Sequence, residues 1–194
     1  MPSFTTNYAL RYPTAAEAAD GPTGIGNLAT DVDTTLLAQL AKLPKGIIAR
    51  GDRASTSSTT ISEIGVLRLD NIAITAGRLY IIKTGPLPLT SNTAGDVVFA
   101  NIRTAVGGTA TTGSSLVGGQ RLQWAVTSAD VTNPRSASML QPYAAPSNGT
   151  LSVLLTVGRA SGSGIVSINA SLGGGIDMWV EDAGIDPGDT GIDI

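Results

Sequence analysis

The sequence has 194 residues, a net charge of −3, and neither cysteine nor histidine. These two absences exclude disulfides, thiolate nucleophiles, cysteine or imidazole metal ligands and a Ser-His-Asp triad. Only 14% of the residues are charged and the pI is about 4.8, so no basic surface for nucleic acid is expected. With 42% hydrophobic residues, the chain can still bury a core.

The start of the chain predicts neither secretion nor membrane insertion. The first residues lack the basic and apolar regions of a signal peptide. No apolar run approaches the length that crosses a bilayer. We therefore expect the chain to be made in a cytoplasm.

Residues 1–45 are predicted to form a separate N-terminal segment, an arm followed by a helix. Two of the four tyrosines, Tyr8 and Tyr12, lie close together near Leu10, Arg11 and Pro13. Aromatic and arginine residues concentrated in an aromatic-poor chain are typical of a contact peptide. The alternative is an arm that lies on the chain's own domain.

The helix is predicted over residues 30–43. Thr30 or Asp31 can cap its start, and Pro44 ends it. Apolar residues recur at spacings of three and four, which is helical periodicity. They are Ala29, Val32, Leu36, Leu40 and Leu43. So short a helix is unstable alone in water, so its apolar stripe must meet the main domain or symmetry copies of itself.

From residue 46 the pattern changes to short β-rich runs separated by turn residues. Roughly eight such runs, with no helix between them, predict an all-β fold, a jelly-roll-like β-sandwich. Within it, residues 96–106 are expected to form one long strand, with Val98, Ala100 and Ile102 on one face and Val97, Phe99 and Asn101 on the other. Residues 55–60 and 107–115 are expected to be loops, and Pro86 and Pro88 to mark an edge strand or a loop. The domain is placed at 46–194 and ends in an acidic tail.

No catalytic constellation stands out. The acidic tail could offer oxygen ligands to calcium, but its spacing matches no EF-hand loop, and a solvated tail is the favoured interpretation. These acids are Glu181, Asp182, Asp186, Asp189 and Asp193. A glycosidase would need two carboxylates across a cleft, and no pair is singled out. Trp124 and Trp179 lie in strand patterns, which favours core packing.

Two N-terminal stretches are more specific. Residues 7–14 (NYALRYPT) and 25–33 (IGNLATDVD) resemble the N-terminal segment of virion proteins of actinobacterial tailed phages, in which an LRYP peptide precedes a helix start. Residues 46–51, 65–70, 76–80 and 180–184 resemble a β-domain of the same phages. The family is one of structural proteins, and it supplies no catalytic residues.

The resemblance implies a phage virion structural protein without enzymatic activity or cofactor. A tail appendage, or minor tail protein, that contacts the host surface is the first interpretation. A capsid decoration protein or head fibre is the alternative, and a glycan-active enzyme is a remote one. Expected partners are other virion proteins, two further copies in a homotrimer, and a host cell-surface glycan. The predicted docking residues are Tyr8, Leu10, Arg11, Tyr12, Pro13, Val32, Leu36 and Leu40.

Overall fold

The computed structural model describes residues 3–4, 11–12, 21–54, 57–59, 63–119, 122–168 and 175–187. The chain divides into two compact units, Met1–Leu43 and Pro44–Ile194.

The first unit holds two short strands and one long helix. Strands β1 (Ser3–Phe4) and β2 (Arg11–Tyr12) pair antiparallel, and helix α1 (Gly21–Leu40) follows. The N–H groups of Lys42 and Leu43 then donate to the carbonyls three residues earlier. These tighter bonds close the helix before Pro44.

The predicted start of the helix was wrong, because α1 begins nine residues before Thr30. Pro22 lies in the first turn, where a missing N–H costs no internal hydrogen bond. Thr30 is therefore an interior residue and caps nothing. Its hydroxyl donates to the carbonyl of Gly26 at 3.0 Å, and that of Thr34 donates to the carbonyl of Thr30 at 2.8 Å. Such bonds four residues back are typical of threonine inside a helix.

The second unit is built almost entirely of strands. In chain order these are β3 (Gly46–Arg53), β4 (Ser57–Thr59), β5 (Ile64–Ile74), β6 (Arg78–Thr84), β7 (Leu87–Ser91), β8 (Val97–Val106), β9 (Ser115–Leu116), β10 (Leu122–Ala125), β11 (Arg135–Ala137), β12 (Leu140–Ala144), β13 (Gly149–Ser161), β14 (Val166–Ile168) and β15 (Ile176–Ile185). A five-residue helix, α2 (Ser128–Thr132), lies between β10 and β11.

The strand order is that of a jelly roll. One sheet has the order β10-β8-β13-β5, and two others have the orders β12-β6-β15-β3 and β11-β7-β14-β4. Each strand of the third sheet is the chain neighbour of its counterpart in the second. Each such pair can be counted as one interrupted strand, and β9, which pairs with β8, is left out. Numbered from 1 to 8 in chain order, the strands then form two sheets with the orders 1-8-3-6 and 2-7-4-5. Two four-stranded sheets connected in this way form a double Greek key, as the sequence predicted.

The core lies between these sheets and is formed by one face of every long strand. In β13, Leu151, Val153, Leu155 and Val157 have no exposed surface. The predicted alternation of faces along residues 96–106 is confirmed, because Val98, Ala100 and Ile102 all belong to the same core. The alternation of two residues along a strand explains this outcome.

Two local expectations were wrong. The predicted loop at 55–60 contains β4, whose residues pair with β14. Pro88 lies in β7, which pairs on both sides, with β11 and β14. The predicted loop at 107–115 is confirmed up to Ser115, where β9 begins. Within this loop Ala110 is buried, and its N–H donates to Ser152 Oγ at 2.9 Å.

The supposed acidic tail begins inside the fold. Asp182 lies in β15 and is 2% exposed, and its carboxylate accepts bonds from Nε and Nη2 of Arg78, itself 3% exposed. The N–H of Gly184 donates to the same carboxylate at 2.9 Å. This pair joins β6 to β15 within the core, where an unpaired charge would be very costly.

Replacing Asp182 should test that account. Asp182→Asn leaves the guanidinium of Arg78 buried without a counter-charge, so the free energy of unfolding should fall by about 3 kcal/mol. Urea denaturation at pH 7 measures it. The control is Asp177→Asn, since Asp177 is 34% exposed and pairs with Arg50 at 3.5 Å. That change should cost less than about 1 kcal/mol, and equal losses in the two variants would contradict the prediction.

Candidate interaction surface

Helix α1 exposes a continuous apolar stripe. At 3.6 residues per turn, its members fall within about 120° of one another around the axis. The exposed fractions include 71% for Ile25, 42% for Val32 and 54% for Leu36. The α1 stripe consists of Ile25, Leu28, Val32, Leu36, Leu40 and, just beyond the helix, Leu43.

Three members of this stripe, Ile25, Leu28 and Leu43, were absent from the predicted docking residues. Ile25 and Leu28 lie before residue 30, where the predicted helix began. Their signal was present in the sequence, since they precede Val32 by seven and four residues. Leu37 is 66% exposed but lies about 100° from Leu36, so it falls outside the stripe.

The predicted docking residues divide into three groups. Val32, Leu36 and Leu40 lie together on the exposed stripe. Arg11 and Tyr12 form β2, in which Tyr12 pairs with Ser3 and Arg11 with Phe4. Tyr8, Leu10 and Pro13 lie outside the described residues.

Several acidic groups in the described part of the jelly roll have intramolecular partners. The clearest cluster surrounds Glu63, whose carboxylate receives Nε and Nη2 of Arg103 at 2.7 and 2.5 Å. The side chains of Asn101 and Thr156 donate to it as well. Burial raises the pKa of Glu63, but these hydrogen bonds outweigh it and leave the pKa below 4.5. A carboxylate so fully bonded is a structural anchor and is poorly suited to proton transfer.

Asp96 is a second anchor. Its carboxylate accepts Ser91 Oγ at 2.5 Å and the N–H groups of Ser163 and Gly164 at 2.9 Å. Burial raises the pKa of Asp96, and the hydrogen bonds bring it below 3.8. A Cβ on Gly162, which has a φ of +107°, would lie 1.8 Å from Asp96 Oδ1. The glycine there therefore lets the loop close over the carboxylate.

The described residues provide no group of ligands for a metal ion, since no three acidic side chains among them are placed to hold one. Of the acids considered as calcium ligands, Asp182 is paired with Arg78, and Asp189 and Asp193 lie outside the described part. Trp124 packs against the core, whereas Trp179 lies on an outer sheet face and donates its Nε1–H to Glu181 at 3.0 Å.

In the parts of the chain described, no helix is long and apolar enough to span a bilayer.

No family model matches the chain, and no curated protein matches it. Among solved structures, it is similar to a chain of the infectious bursal disease virus Gx strain, with a TM-score of 0.34, 14% identity, and coverage of 75% of this chain and 37% of that one. It is also similar to the VP2 subviral particle of that virus, with a TM-score of 0.33, 12% identity, and coverage of 74% and 42%. The chain thus spans less than half of either. Likeness at this level assigns no function.

The Glu63 cluster predicts a pH-dependent stability. Because the pKa of Glu63 is lowered on folding, its contribution is present above pH 4.5 and is lost as the pH falls through the folded value. Glu63→Gln should therefore cost about 2 kcal/mol at pH 7 and clearly less at pH 3. Urea denaturation at both pH values measures this. Asp52→Asn, at an exposed position, is the control, and an equal loss at both pH values for Glu63→Gln would contradict the assignment.

Proposed function

We propose that this chain is a structural component of a phage particle and that residues 1–45 attach it there. The observation that carries the proposal is the α1 stripe, six large aliphatic side chains left open to solvent along one helix. A soluble monomer rarely exposes a contiguous apolar surface of this kind. The resemblance of residues 7–14 and 25–33 to phage virion proteins agrees with an attachment role.

The jelly roll of residues 46–194 is then the projecting domain. Its acidic clusters have structural partners, and the described residues show no catalytic arrangement. A tail appendage that contacts the host surface is the first location proposed, and a capsid decoration protein or head fibre is the second. Copy number separates them, since hundreds of copies per particle indicate the capsid and a handful indicate the tail.

The stripe also favours self-association as a homotrimer. Its width of about 120° suits a small helical bundle, in which each helix contacts two others. Ala29 and Gln39 lie on the same side of the helix as the stripe. A small and a polar side chain among the aliphatic ones would help to set the alignment of the helices.

Charge substitution on the stripe tests the trimer. Leu36→Asp should dissociate it, because three apolar contacts of about 1.5 kcal/mol each are lost and the dissociation constant rises about a thousandfold. Sedimentation should then report folded monomers near 19.6 kDa. Leu37→Asp is a matched control, since it places the same charge on the neighbouring exposed leucine but outside the stripe. If both variants sediment alike, the helical bundle is excluded.

Deletion tests the attachment. A chain that begins at residue 46 keeps the whole jelly-roll core and should remain folded. We expect it to be absent from particles assembled with it in place of the full chain. Mass spectrometry of purified particles gives the reading, with a circular dichroism spectrum of the free truncated chain as the folding control. Incorporation at the normal level would show that attachment does not require residues 1–45.

A further inference from the structure

The outer faces of the two jelly-roll sheets differ in how far the chain itself covers them. On the β10-β8-β13-β5 sheet, the outward side chains of the inner strands are covered by the chain itself. Asn101 and Thr156 are at most 1% exposed beneath Glu63. Arg103 donates to the carbonyl of Ser114 at 2.6 Å, which holds the loop after β8 across this face.

The outer face of the β12-β6-β15-β3 sheet, here called the open face, is apolar and exposed. Its register places apolar side chains from three of the four strands in one row, with Glu181 from the fourth between them. Pro142 pairs with Ile81, Ile81 with Glu181, and Glu181 with Ile47. Leu140 and Ile47 are 61% and 58% exposed, and Ile185 at the end of β15 is 50% exposed. A sheet face that met only water would carry polar side chains at these alternate positions.

Four of the charges on the open face form two ion pairs, and Asp52, which lies opposite Asp177 in the register, is not among them. Lys83 Nζ lies 2.5 Å from Glu181 Oε2, and Trp179 donates to the other carboxylate oxygen of Glu181. At one end of the face, Arg50 lies 3.5 Å from Asp177. If this face were covered, the Glu181 carboxylate and the Lys83 ammonium would still be paired with each other. The main cost of burying charged surface, an unpaired charge, would therefore not arise for these two groups.

The size of the open face decides what can cover it. Four strands about 4.8 Å apart and seven residues rising about 3.3 Å each give roughly 19 by 23 Å. That is about half of the 800 Å² that each partner buries in a standard interface. Alone, such a contact is weak. Between copies that another contact already holds together, this contact forms readily, because the effective concentration of the two surfaces is high.

We infer that the open face packs against a second copy of this chain. The inference rests on the proposed trimer, in which the α1 stripe holds the copies together. In a cyclic trimer the contact is heterologous, so each copy offers one open face and covers that of one neighbour. The contact buries Leu140, Ile81 and Ile47 around the Lys83–Glu181 pair.

Single-cysteine labelling tests the inference in the full chain, which has no cysteine of its own. A thiol introduced by Leu140→Cys lies on the open face. A thiol introduced by Val106→Cys replaces a side chain that is 40% exposed on the other sheet and serves as the matched control. In a chain that is nine-tenths assembled, a maleimide should react about tenfold more slowly with the first thiol than with the second. In urea the two thiols should react at the same rate.

Sedimentation of the same samples separates the outcomes. A trimer with the thiol at position 140 protected supports the inference. A trimer in which both thiols react equally overturns it and leaves the proposed trimer intact. A monomer overturns the inference and the trimer together. In a further variant, Ile81→Lys should restore fast labelling at position 140, and continued protection there would also contradict the contact.

Discussion

The packing of β13 in the middle of its sheet is the interaction on which the rest of the fold depends. Its inward side chains fill the core between the two sheets, and none of the four from Leu151 to Val157 has exposed surface. Two of its outward side chains, Ser152 and Thr156, are small and polar. Ser152 Oγ donates to Asp70 at 2.5 Å and accepts from the N–H of Ala110, while Thr156 donates to Glu63. One strand therefore fixes the core on one side and the covering loops on the other.

The scarcity of charged residues explains why the outer faces of the two sheets differ. Buried charges in the described part have dedicated partners, as Arg78 has in Asp182 and Arg103 in Glu63. These pairs span 104 and 40 residues of sequence, so they connect distant strands and stabilise one topology. Few charges remain for the outer surfaces. The side chains that meet solvent there are small polar or aliphatic ones, and such surfaces pack together without strong repulsion.

Local periodicity was sufficient to predict the fold class. The change of period at Pro44 and the alternation in residues 96–106 depend on neighbours in sequence, and the structure agrees with both. The helix start was missed because the glycines and the proline of residues 21–26 are weak helix formers, and their propensity outweighed the continuing apolar spacing at Ile25 and Leu28. The Arg78–Asp182 pair could not be found, because side-chain pairing across a hundred residues requires the strand order.

The sequence of β6 contained evidence for the apolar character of the open face. In a strand with one solvated face, apolar residues alternate with polar ones, yet both Leu79 and Ile81 and their inward neighbours Tyr80 and Ile82 are apolar. A run with two apolar faces is typical of a strand covered on both sides. The jelly roll covers one of those faces with its own core. The second face is exposed among the described residues, and the proposed trimer would cover it with another copy.

In the proposed trimer, the α1 stripe and the open face serve one assembly requirement. A 20-residue helix gains little stability by itself, so its folding and its association would be coupled there. The open face is preformed by the sheet and loses little entropy on contact, but it is small. A preformed face becomes effective once the helices have raised the local concentration of its partner, and the helices gain stability once the faces close. Each contact thus strengthens the other, so disruption of either one should weaken both.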